Sequence, residues 1–136
     1  MSRPRTVLGF DYGRRRIGVA VGQELTGTAR ALGVVPARRG EPDWERIRRL
    51  VAQWRPDLLV VGCPRHMDGS EHEMTRAARR FARRLGGRCR LPVAEVDERL
   101  TSAEAEALGG AEPVDAIAAR LIVESWLRGD GAGGGG

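Results

Sequence analysis

Asp11, the pair Asp97 and Glu98, and Asp115 are acids in places where an acid needs a reason. Asp11 ends the apolar run Thr6–Phe10 beside a glycine turn, and Asp97 and Glu98 end a second apolar segment, Leu91–Val96. Asp115 stands in the first turn of an apolar helical pattern. Carboxylates gathered in one place repel one another unless a cation neutralises them. Hard oxygen donors select Mg2+ or Mn2+ over zinc. One or two such ions activate a water and stabilise the leaving oxygen in phosphodiester cleavage. Each acid also has a simpler reading: a solvated turn residue for Asp11, a surface partner of Arg99 for Glu98, and the favourable end of a helix dipole for Asp115. Ala118 and Ala119, beside Asp115 on the helix, argue for close approach to a sheet.

Arg14, Arg15 and Arg16 directly follow Asp11 and place three cations where a scissile phosphate would lie. All 23 basic residues are arginine, the net charge is +5 and the isoelectric point is near 10.7. A GC-rich genome explains arginine replacing lysine, but not the positive excess. That excess points to a polyanionic partner, and the guanidinium fork binds phosphate in bidentate fashion. The run Arg76–Arg84 suits either a solvated helix face or a phosphate-contacting one.

The elements that must position these groups follow from hydrophobic period and punctuation. Thr6–Asp11, Ile17–Val21 and Thr28–Pro36 read as three strands joined by short connections, hence an antiparallel meander, with Gly13 free to take positive φ in the first turn. Trp44, Ile47, Val51 and Trp54 recur at helical spacing between Asp43 and Pro56, and both tryptophans are expected in the core. Leu58–Val61 reads as a strand buried on both faces, which implies parallel pairing in the sheet centre. After the loop from Gly62 to Gly69, Ser70 and Glu73 form a capping box for a helix that turns Met74, Ala77, Ala78, Phe81 and Leu85 inward and stops at Gly86-Gly87. Leu91–Val96 is the fifth strand. Thr101 and Glu104 cap a short helix, and Val114, Ile117, Leu121 and Ile122 mark the inner face of the last one. The expected fold is α/β: a mixed five-stranded sheet, three antiparallel strands then parallel strands, flanked by helices.

At 136 residues the chain suits one domain, residues 1–128, followed by a glycine-rich tail, residues 129–136, expected to be disordered. The longest apolar run, Leu58–Cys63, is too short to span a bilayer, and the first residues lack the apolar stretch of a signal peptide. A cytoplasmic protein with no membrane partner is therefore expected. Cys63 and Cys89 are too few for a disulfide framework and have no zinc-ligand spacing, so both read as buried or half-buried thiols.

Four blocks together resemble a known family. Leu8-Gly-Phe-Asp-Tyr-Gly-Arg-Arg-Arg-Ile-Gly-Val-Ala-Val21 is similar to the opening of the YqgF family of pre-16S ribosomal RNA nucleases, also called Holliday junction resolvases. Val60-Val-Gly-Cys-Pro with Met67-Asp-Gly69, Val96-Asp-Glu-Arg-Leu-Thr-Ser102, and Val114-Asp-Ala-Ile-Ala-Ala119 follow in the family's order. The resemblance implies a ribonuclease H-like fold, a divalent metal (Mg2+ or Mn2+), and maturation of the 5′ end of 16S ribosomal RNA. It implies Asp11, Glu98 and Asp115 as the acidic, metal-holding set, with Asp97 as the alternative to Glu98, because adjacent strand residues point to opposite faces. Arg14, Arg15, Arg16, Arg65 and Arg99 are the expected substrate contacts. The sequence departs from the family at Cys63-Pro-Arg65-His66, and its segment between Glu98 and Asp115 is short and lacks a basic loop. The alternatives are a resolvase acting on branched DNA and a non-catalytic RNA-binding module for ribosome assembly; the oligomeric state is left open.

Overall fold

The computed structural model describes residues 3–64, 73–97 and 114–129. Strands β1 (Thr6–Asp11), β2 (Arg16–Gln23), β3 (Thr28–Arg38) and β4 (Glu41–Pro42) precede helix α1 (Trp44–Trp54). Strand β5 (Leu58–Cys63), helix α2 (Glu73–Cys89), strand β6 (Val93–Asp97) and helix α3 (Val114–Leu127) complete the order. The sheet runs β4-β3-β2-β1-β5-β6, antiparallel from β4 to β1 and parallel from β1 through β5 to β6. The mixed sheet expected from the sequence is therefore present, with a sixth strand. That strand is the two-residue β4, too short to leave a periodic signal.

Strand alternation sorts the core into two layers. Leu8, Phe10, Ile17, Val19, Leu59 and Val61 face α1 and α2, where Ile47, Phe81 and Leu85 close the larger core. Val7, Ala20, Val60 and Val96 face α3, meeting Ala119, Ile122 and Val123. β5 is buried at all six positions, as its unbroken apolar run requires.

Phe81 is the hub of the first layer. Its ring centroid lies 5.8 Å from Phe10, 5.0 Å from Tyr12 and 5.8 Å from Trp44. Phe81→Ala is expected to cost about 3–5 kcal/mol, from lost transfer energy and the cavity left behind. Urea denaturation should show the midpoint falling with little change in slope.

Local caps follow the sequence in part. The Asp43 side chain accepts from the Arg46 amide at the start of α1, and Arg55, in the left-handed region at φ 47°, ends it. Trp44 and Trp54, expected in the core, are only half-buried at its edge. Arg88 lies 4.3 Å over the Trp44 ring and Arg30 5.2 Å over that of Trp54. Gly86-Gly87 does not stop α2, which continues to Cys89 before Arg90 takes φ 55°. The packed neighbours of α2 override the weak helix propensity of two glycines. Within α2, Thr75 and Ala82 are buried while Met74 and Ala77 are only partly so. The Thr75 hydroxyl satisfies its burial by donating to the Pro64 carbonyl. Cys63 is buried and Cys89 half-buried, as expected, and desolvation pushes the Cys89 thiol up from its usual range. Ser70, the helix expected after Thr101 and the tail beyond residue 129 lie outside the described residues.

Candidate active site

Asp11 is the last residue of β1, the strand at which the sheet changes from antiparallel to parallel. It is paired across β2 with Gly18. Opposed residues in an antiparallel pair share a face, so the Asp11 side chain lies on the side of Gly18's missing one. That is the α3 side. A Cβ on Gly18 would stand 1.8 Å from the Asp115 carbonyl oxygen and 3.0 Å from the Ala116 nitrogen. The first turn of α3 thus rests on the backbone of β2, directly across from Asp11. Asp11 and the backbone of Asp115, 104 positions apart, thus share one end of one face of the sheet.

The seat for α3 is a strip of glycine. At Gly9 and Gly22 a Cβ would come within 2.2 Å and 2.3 Å of the Val123 methyl groups. Close approach was expected from Ala118 and Ala119, which are indeed buried. The strands contribute more to it: Gly9, Gly18, Ala20 and Gly22 share the face. The signal for this was present in the sequence as Gly18-x-Ala20-x-Gly22, small residues at strand period.

Asp97 stands on the other side. It is in register with Cys63, and it has the parity of Val93 and Glu95 on β6. Cys63 and Val93 pack in the α1–α2 layer, and Glu95 pairs with Arg79 of α2 at 3.3 Å. Glu98, Arg99, Arg65 and His66 lie outside the described residues. Among the described residues no three His, Cys, Asp or Glu side chains gather as a metal site. Asp11 and Asp115 are both half-buried, and their oxygens are the hard donors that suit Mg2+ or Mn2+. The residues present therefore fit a divalent cation, with two carboxylates on one face and no side chain between them at Gly18.

The three arginines after Asp11 diverge. Arg16 pairs with Asp115 at 3.3 Å, on the α3 side. Arg14 pairs with Glu73, the first residue of α2, on the opposite side, and holds its carboxyl below the usual range. Arg15 is exposed, and its carbonyl accepts from the Ala37 amide at 2.8 Å. Gly13, free to take positive φ, does not use that freedom. Its requirement is close approach, since a Cβ there would lie 2.5 Å from the Arg16 carbonyl oxygen.

On the α2 side, Arg84 makes a fork to Glu41, 2.8 Å from each nitrogen to its oxygen, and the Trp44 Nε1 donates to the same carboxylate at 3.1 Å. These donors, the Arg84 fork first, hold the Glu41 carboxyl down at about 2. A depressed carboxyl contributes stability that is present above the ordinary carboxylate range and lost as pH falls towards 2. Glu41→Gln is expected to flatten the stability profile between about pH 4.5 and 2. Thermal denaturation across that range reads the change, which solvent screening keeps modest.

No described helix is long and apolar enough to cross a membrane. The sequence profile of the family described as "RuvX: Holliday junction resolvase" matches residues 5–129. A protein of Azotobacter vinelandii named "Putative pre-16S rRNA nuclease" is 55% identical, covering 93% of this chain and 96% of that one. A protein of Pseudomonas putida with the same name is 51% identical over 93% and 97%. Among solved structures, RuvC of T. thermophilus in complex with a Holliday junction substrate is similar at a TM-score of 0.53, with 20% identity, 93% of this chain covered and 97% of that one. Another Thermus thermophilus RuvC structure gives 0.50 at 18% identity, over 93% and 98%. These two likenesses establish a shared ribonuclease H-like fold. With the profile and the half-identical relatives spanning nearly the whole chain, they lead to one assignment: the chain belongs to the RuvX family, the YqgF-type nucleases.

Proposed function

We propose that this protein is a divalent-metal-dependent nuclease that hydrolyses phosphodiesters in structured nucleic acid and trims the 5′ end of pre-16S ribosomal RNA in the cytoplasm. The observation that carries this reading is the seating of Asp115 on Gly18, opposite Asp11. The two acids share a face with no side chain between them at Gly18, and hard oxygen donors so placed suit a divalent cation, with Arg16 beside Asp115. The names of the relatives supply the choice of RNA.

Asp11, Asp115 and Glu98 are the residues that would hold Mg2+ or Mn2+. Glu98 is preferred to Asp97 because it has the sequence parity of Ala94 and Val96, of which Val96 packs in the α3 layer. A divalent ion held there would supply Lewis acidity, a lowered pKa for water and positive charge to offset that developing on the phosphate. Arg16, tied to Asp115, stands ready to exchange that carboxylate for a phosphate oxygen. Water is the nucleophile, so no Ser, Cys or His is required.

The family profile's own description favours a second reading, resolution of four-way DNA junctions. Cleavage of a pre-ribosomal RNA leader and of a four-way junction, each in Mg2+, Mn2+ and EDTA, separates the two. Metal-dependent cutting of the leader in preference to the junction is expected. The reverse preference selects the resolvase, and binding without cutting of either substrate rejects the nuclease.

A further inference from the structure

A cleft of about 490 Å3 opens on the α2 side, back to back with the acidic face. Tyr12, Arg14, Arg39, Arg80, Phe81 and Arg84 line it. Its walls are fixed by contacts that cross three elements. The Tyr12 hydroxyl donates to the Gly40 carbonyl at 2.7 Å, the Gly40 amide donates to the Arg14 carbonyl at 3.0 Å, and the Tyr12 ring stacks on Phe81. Two of its four arginines are neutralised, Arg14 by Glu73 and Arg84 by Glu41. Arg39 and Arg80 are exposed, and among the described residues neither has an acid partner.

Arg39 also occupies an unusual backbone position. Arg38 is in register with Glu41, so Arg39 and Gly40 form a two-residue hairpin turn with φ 52° and 83°. Such a turn favours Asn, Asp or Gly at its first central position, not a long side chain. The turn is fixed through Gly40, whose carbonyl accepts from Tyr12 and whose amide donates to Arg14. The residue held is a cation, and it faces the cleft.

We propose that this cleft binds a backbone phosphate of the nucleic acid at a distance from the scissile bond, Arg39 and Arg80 making the contacts. The turn Gly13–Arg16 leads from one site to the other, with Arg16 on the acidic side and Arg14 at the cleft. A strand crossing the end of the β1–β2 hairpin meets cations throughout its path. The proposal rests on the nuclease reading for the identity of the ligand, but its test does not need catalysis.

The test is fluorescence anisotropy of a labelled RNA hairpin carrying a single-stranded leader, titrated with protein in EDTA at several salt concentrations. Arg39→Gly with Arg80→Gln is compared with Arg55→Gly with Arg30→Gln. The second pair removes equal charge, including another left-handed arginine, at the opposite end of the sheet. Arg39→Gly suits the turn, so a Tm at or above wild type is expected for the first pair. Its affinity should fall about tenfold or more, and the slope of log K against log salt should shrink by about 1.5, two phosphate contacts being lost. Wild-type affinity in that variant overturns the proposal, and so does an equal loss in the control pair. Displacement of the RNA by micromolar AMP assigns the cleft to a free nucleotide and overturns it too. Failure of wild type to cut any substrate, with these binding differences intact, rejects the nuclease reading alone.

Discussion

Asp11→Asn is expected to lower metal-dependent cleavage by about 10²–10³-fold or more while leaving the chain folded. Asparagine has the same shape but loses a full negative charge at the central position of the proposed acidic set. Charge stabilisation by a held cation is worth several kcal/mol, and each 1.36 kcal/mol is a factor of ten in rate. A second readout needs no substrate. A cation that binds only the folded chain raises Tm with concentration. The wild-type Tm should climb with Mg2+ or Mn2+, and the variant's should not. Full activity in Asp11→Asn would reject the acidic site.

Gly18→Ala has the second large effect. The added methyl meets the carbonyl oxygen of Asp115 at 1.8 Å and its carbonyl carbon at 2.3 Å. Those are backbone atoms of a helix that is packed along its whole length, so the first turn of α3 must lift. We expect a loss of about 3 kcal/mol, at the upper end of overpacking costs. Cleavage should fall by a further factor of about 10², since displacing a catalytic group by about 1 Å has that scale. Gly9→Ala is the informative contrast. Its methyl meets only the Val123 Cγ2, at 2.2 Å, a side-chain atom. Val123→Ala should therefore restore stability to Gly9→Ala and do nothing for Gly18→Ala. Urea denaturation of the four variants, with rates measured where each is folded, checks both statements.

The sequence carried the elements further than their ends. β1 was legible to the residue, because Asp11 closes an apolar run and glycine follows. α1 was bounded by Asp43 and Pro56. The run through Gly86-Gly87 was not, because packing of Ala82 and Leu85 below and Val93 beside Gly86 outweighs local propensity. β4 was invisible, since two residues have no period. In the site, the acids were legible singly at two strand ends and a helix start, and the resemblance grouped Asp11, Glu98 and Asp115 into one set. The glycine strip that seats α3 was written in β2 but spells out an absence, which hydrophobic pattern does not score. The division of Arg14 from Arg16 follows from strand parity across a turn, which spacing alone does not resolve. The cleft around Arg39 depends on a left-handed turn position and on contacts between β1, β3 and α2, none of them local.

On the proposed reading, where α3 comes to rest sets the moment at which cleavage becomes possible. Domains form as synthesis proceeds, amino end first. The meander that carries Asp11 can close early, since its strands are neighbours along the chain. Asp115 reaches Gly18 only after α3 has left the ribosome. A polypeptide that ends before α3 therefore carries Asp11 and the basic Arg14–Arg16 turn but lacks Asp115, and on the proposed reading it would bind nucleic acid without cutting it.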